Sequence, residues 1–222
     1  RYMNTIITIS RQHGSAGLQI GRELAKQLGI PCYDKELLER AAKDSGLCKE
    51  IFEANDKKPT SSFLYSLVMD TYSYGYSSGV LSDMPLNQKV FLAQFDTIKN
   101  LAKEGPCVFI GRCADYALED NPHCLSVFIH ADLKKRVRRV AAMDSVSDAK
   151  AKDIIQKTDK SRASYYNYYT CKKWGDMESY HVCLDSGIFG IDGTVDLLKA
   201  MIQRHEKGFQ KAIFNCKPGD IE

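Results

Sequence analysis

The sequence predicts an α/β fold, a parallel sheet with helices on both faces. Two observations predict it. Five short apolar or β-branched runs, at residues 5–10, 30–33, 107–111, 124–130 and 181–186, alternate with stretches of helical periodicity. Strands that alternate with helices pair in parallel, and the crossovers cover both faces of the sheet. The first run also breaks on glycine and turns directly into a helical pattern, in "ITISRQHGSAGLQIGRELAKQLG" (7–29). Strand, glycine turn and helix in that order build a cradle for phosphate at the carboxyl edge of such a sheet.

Each element has its own signal. Residues 5–10 (TIITIS) are short, β-branched and bounded by turn residues, as in a buried strand. Residues 18–28 put Leu18, Ile20, Leu24, Ala25 and Leu28 near helical spacing, with Gly29 as the stop. A short strand follows, then "DKELLERAAKDSG" (34–46), with Asp34 as N-cap and Gly46 as terminator. Between 55 and 84 periodicity decays into Ser, Tyr and Gly, which reads as an insert beside the site. A long helix is expected from 86 to 103, a short one in "RCADYALED", a basic one from Asp132, and a last one over "GTVDLLKAMIQRH". The tail after Lys207 is polar and is expected to fray.

Composition bounds the function. A chain of 222 residues with 44% hydrophobic and 27% charged residues suits one globular domain. The net charge of +3, from 31 basic and 28 acidic residues, is too small to imply nucleic acid. No apolar run approaches the roughly 18 residues of a membrane span, and the N-terminal stretch lacks a signal-peptide layout. The eight cysteines form no Cys-x-x-Cys pair, so free thiols in a reducing cytoplasm are expected, without a metal site.

Four stretches carry candidate chemistry. In the glycine turn, Gly14, Ser15, Ala16, Gly17 and Leu18 let backbone N–H groups and the helix dipole meet an anion. The glycine spacing is G-x-x-G-x-x-x-G, not the dinucleotide pattern, and a turn that only lets the helix pack close is the alternative. Arg136 and Arg139 share a helix face in "VFIHADLKKRVRRV", and Arg162 follows among lysines and tyrosines in "KTDKSRASYYNYYTCKKWGD". Arg139 and Arg162 are candidates to clamp a phosphate with planar forks; basic residues among aromatics also fit RNA binding. In "GRCAD", Arg112 leaves a strand end and Asp115 lies one turn on, where a surface ion pair is the plain alternative. Asp185, in "CLDS", ends the last strand, where a helix N-cap is the alternative.

Together, "ITISRQHGSAGLQIGRELAKQLGIPCYDKELLE", "VFIGRCADY", "DKSRASYYNYYTCKKWGD" and "GIDGTVDLL" resemble the cytidylate kinase-like family of P-loop proteins. The resemblance runs from about residue 6 to about 198 and is weakest between 50 and 95. It implies a three-layer αβα P-loop kinase fold with a central parallel sheet, a lid and a small insert. One domain would span 1–206, with the acceptor-side insert at 50–95, the lid at 147–175 and a tail at 207–222. It implies transfer of phosphate from ATP, with Mg2+, to a small phosphorylated acceptor, in the cytoplasm, without nucleic acid or membrane; the oligomeric state stays open. By similarity, Asp34, Arg40, Arg112 and Asp185 fall at acceptor-side positions, and Asp159 and Arg162 match the lid's "DSxR".

The sequence also departs from the family of ordinary phosphate loops. Gly17 stands where the loop lysine is expected, and Leu18 and Gln19 replace the residues after it. That lysine neutralises the β- and γ-phosphates, and the hydroxyl binds magnesium. Arg11, at the strand end, is the nearest cation to compensate, reaching across the mouth of the loop. A nucleotide-binding regulatory protein without transfer activity is therefore the second reading.

Overall fold

A computed structural model describes residues 3–34 and 86–215, apart from the side chains of 86–90, 92, 93 and 209–215. The helix expected after Asp34, with Arg40, and the Tyr- and Ser-rich stretch lie outside the described residues. The elements are β1 (Ile6–Arg11), α1 (Gly17–Leu28), β2 (Cys32–Tyr33), α2 (Leu86–Glu104), β3 (Val108–Ile110), α3 (Ala114–Ala117), β4 (Cys124–His130), α4 (Leu133–Asp144), α5 (Asp148–Thr170), a 3-10 turn (Met177–Ser179), β5 (Val182–Asp185) and α6 (Ser186–Asn215).

The strands form one parallel sheet in the order β2-β3-β1-β4-β5. β1 is central, with Ile7 opposite Val108 on one side and Leu125 on the other. Strand alternation sorts side chains to two faces. Ile7, Ile9, Val127, Ile129 and Leu184 pack under Ile20 and Leu24 of α1 and Val195, Leu198 and Ile202 of α6. Ile6, Phe109 and Cys124 pack on the opposite face under Ile98 and Ala102 of α2 and Ala114 and Ala117 of α3. These three layers are the predicted fold.

Local signals act as read, with some changes. Gly29 takes the left-handed conformation and caps α1 through the carbonyls of Ala25 and Lys26. Asp132 caps α4 by accepting from the Lys134 N–H. The last helix starts earlier than its apolar periodicity suggests, at Ser186, with a break at Gly190 (φ 68°, ψ −174°), and it runs on through the expected tail to Asn215. At the amino edge of the sheet, the N–H groups of Asn4 and Thr5 and the Thr5 hydroxyl all donate to Glu206 of α6. The described cysteines are free, with Cys107, Cys113 and Cys124 buried. No helix among the described residues is long and apolar enough to cross a membrane.

Candidate active site

The strand ends bring the predicted stretches to one edge. Between β1 and α1, Gly14 (φ 79°) and Ala16 (φ 62°) turn the chain through left-handed conformations. A Cβ on Gly14 would lie 3.0 Å from the Arg136 carbonyl oxygen and 3.0 Å from Val140 Cγ2, so the loop presses on α4 and glycine is required on two counts. No side chain caps α1. The opening N–H groups of a helix have no intrahelical partner, so they and the dipole are left to face an anion.

The loop's carbonyls are tied from outside. Arg136 Nη1 donates to His13 O at 3.2 Å, Arg139 Nη1 to Gly14 O at 2.9 Å, and the Ser186 hydroxyl to Ser15 O at 2.6 Å. Arg162 Nη1 donates to Arg11 O at 2.9 Å. Asp159 accepts from the His13 N–H at 2.7 Å and from Arg136 Nη1 at 2.6 Å. With carbonyls held outward, the amides have one arrangement, and α4 and α5 are braced on the loop.

Two cavities open here. One of about 200 Å³ is lined by residues 12–14 and 16–19 of the loop and by Arg139, Met143 and Asp144. The other, of about 560 Å³, is lined by Arg112, Lys157, Ser161, Tyr165, Tyr166 and Trp174 among others, with no carboxylate in its wall among the described residues. Arg11 and Arg162 line both. Burial, then Arg162 and Arg112, push the Arg11 guanidinium down to about 9. Arg162 is lowered by burial and by Arg112, against the pull of Asp159. Cations brought together in this way favour an anion between them.

Arg11 does not lie across the loop mouth. Its guanidinium packs against Gly111 at the end of β3, on the boundary between the cavities. Its stem explains the glycine at position 17, where a Cβ would lie 2.5 Å from Arg11 Cβ. Any side chain at this position would have to displace the stem of Arg11. Leu18 is 37% exposed at the rim, and no group of three or more potential metal-ligating residues occurs among the described residues. Such a loop lacks the usual hydroxyl ligand for magnesium, so the metal would be held mainly by nucleotide phosphates and water, with Asp144 the carboxylate facing the loop cavity.

Other expected residues have local partners. Asp185 lines neither cavity; its Oδ1 accepts from the Gly187 N–H at 2.8 Å, the N-cap alternative. Asp159 has both oxygens engaged in bracing the loop. Asp34 pairs with Arg22 and is 7% exposed. Arg112 sits at the large cavity as expected, but Asp115 accepts from the Tyr166 hydroxyl at 2.6 Å, in place of a surface ion pair. The sequence reading passed over Ser186 as a loop brace, although it directly follows Asp185 at a strand end. It also passed over Tyr166 and Trp174 as cavity walls, although the quoted "SYYNYYTCKKWGD" contains both.

The chain is similar to known proteins over most of its length. A cytidylate kinase from Methanothrix thermoacetophila is 24% identical over 200 residues, covering 89% of this chain and 98% of the relative. One from Methanopyrus kandleri is 23% identical over 210 residues, covering 90% and 94%. The crystal structure of an uncharacterized protein from Eubacterium ventriosum superposes with a TM-score of 0.68 at 29% identity, covering 90% of this chain and 99% of that one. Residues 6–188 match the Cytidylate kinase-like family, and the chain belongs to it.

Proposed function

We propose that the protein is a phosphotransferase that moves the γ-phosphoryl group of ATP to a small phosphorylated acceptor of the nucleoside monophosphate type. The observation that carries this reading is the pair of adjoining cavities walled in common by Arg11 and Arg162. The loop amides of Ser15 to Leu18 hold the donor phosphates, and Arg139 fixes the loop through Gly14 O. Arg112 and the aromatic wall hold the acceptor. Arg11 and Arg162 stand where charge spreads over the transferring group, which is the main contribution a protein makes to this reaction. Asp159 acts as a positioning residue, through the His13 N–H and Arg136. Mg2+, bound with the nucleotide, supplies further neutralisation of phosphate charge.

The glycine at position 17 also supports a second reading, a nucleotide-binding regulator without transfer. Thermal-shift screening with ATP and each nucleoside monophosphate, followed by a coupled assay of ADP release, separates the two. ADP release that depends on one acceptor supports the enzyme. Saturable binding without turnover supports the regulator, and affinity for polynucleotides alone overturns both.

A further inference from the structure

The guanidiniums at the large cavity come from three elements, and only two of these belong to the sheet. Arg11 ends β1, and Arg112 follows β3, its sheet neighbour. Their separation is set by backbone pairing. Arg162 comes from α5, which is outside the sheet, and charge repulsion pushes it from the other two. Asp159 and Arg162 tie α5 to the β1 side of the site; a tie to the β3 side, where Arg112 stands, must come from another residue.

Residues 111–113 make this demand sharper. Gly111 (φ 74°), Arg112 (φ 58°) and Cys113 (φ 53°) are all left-handed, and the two that are not glycine are strained there. Such a turn persists only where its surroundings fix it. Asp115 lies one helical turn beyond Arg112, and Tyr166 lies one turn beyond Arg162 on α5. These two residues meet in the 2.6 Å hydrogen bond from Tyr166 Oη to Asp115 Oδ2, with Tyr166 3% and Asp115 7% exposed. Tyr166 stacks on Tyr180 at 6.0 Å and 28°, so its ring has little freedom.

We infer that the Tyr166–Asp115 hydrogen bond is a latch that holds Arg162 opposite Arg112 and so presets the arginine cluster for the phosphoryl group. The latch is a positioning device for the proposed transfer and rests on that reading. It requires an acceptor atom on residue 115, not a charge. Asparagine keeps a carbonyl oxygen that accepts from Tyr166, whereas alanine does not.

The test compares Tyr166→Phe, Asp115→Ala and Asp115→Asn in the full chain by steady-state kinetics, with thermal unfolding as the folding control. The expected result is a fall in kcat of about tenfold or more for Tyr166→Phe and Asp115→Ala, with either KM rising no more than about threefold. Asp115→Asn is expected to stay within about threefold of the wild type. Unchanged kcat in Tyr166→Phe, or an Asp115→Asn variant as impaired as Asp115→Ala, overturns the latch. Trp174, the chain's one tryptophan, lines the cavity and supplies a binding readout independent of turnover. Inorganic phosphate, titrated by Trp174 fluorescence, is expected to bind about threefold more weakly to folded Tyr166→Phe and unchanged to Asp115→Asn; equal affinity in all three variants overturns the latch. If the wild type transfers phosphate to no acceptor, the functional reading fails by itself, and the phosphate titration decides the latch.

Discussion

The two cavities are made of different material. The small one is bounded by the glycine turn, whose carbonyls are tied back by Arg136, Arg139, Arg162 and Ser186. The large one is walled by side chains, among them Arg112, Tyr165, Tyr166 and Trp174. Main chain recognises what every nucleoside triphosphate shares, its phosphates. Side chains recognise what distinguishes one acceptor from another. The difference teaches where selectivity resides, and substitutions can separate the two.

The largest effect is expected at the loop cavity. Gly14→Val combines a forbidden φ with collision against Arg136 and Val140. Affinity for ATP should fall more than about 100-fold, with the sheet intact; calorimetric titration beside circular dichroism checks both. An unchanged ATP affinity in the folded variant would show that the loop is not the cradle.

Next comes Arg162→Ala, at the shared wall. Turnover should fall on the order of 10²–10³, with KM changed only a few-fold, because the planar group whose charge is spread over three equatorial oxygens exists only in the transition state. A rise in KM alone would move Arg162 to ordinary binding. A matched pair then divides the cavities. Arg11→Ala should weaken ATP roughly tenfold, as loss of a charge-assisted hydrogen bond of about 1.5–3 kcal/mol implies. Arg112→Ala should weaken the acceptor and leave ATP within about twofold. The same loss for both ligands in both variants would mean one merged site.

The smallest effect concerns Asp115. Burial raises its pKa above the ordinary carboxylate value, against the opposing hydrogen bond from Tyr166. An acid raised in the folded state holds its proton more tightly there than in the unfolded chain. The cost of its burial is therefore absent below the unfolded pKa and grows as pH rises through the folded one. Asp115→Asn should then be more stable than the wild type near pH 8, and the gain should shrink away as pH falls to about 3.5. Thermal melts of both proteins across this range check the sign, and a gain that grows on acidification would contradict it.

The sheet was legible because each strand is a compact β-branched or apolar run, and α4 because Asp132 precedes its basic face. The loop was legible from its glycines. Roles at the site were less so. Arg11, Arg139 and Arg162 are cations near one edge in the sequence, but which groups they meet depends on side-chain reach across elements far apart in the chain. Asp159 and His13 are 146 positions apart, and nothing local distinguishes a carboxylate that braces an amide from one that faces a substrate. Asp185 shows the reverse, since its local N-cap signal is legible from the residues that follow the strand. Gly17 stands where an ordinary loop has lysine, and that the lysine's absence accommodates the stem of Arg11 is visible only in three dimensions.

The central place of β1 has a consequence for the order of assembly. This strand is made first, yet its hydrogen-bonding neighbours are residues 108–110 and 124–129, and the clasp at its start comes from Glu206. On the ribosome, its β-branched backbone waits without sheet partners while about half of the chain is made. Closing such distant contacts is slow compared with local helix formation. The unpaired strand is meanwhile a template for association with other nascent chains. Chaperone demand should therefore track the interval before β3 and β4 emerge, and slowing translation within residues 12–107 should increase aggregation more than slowing it after residue 130.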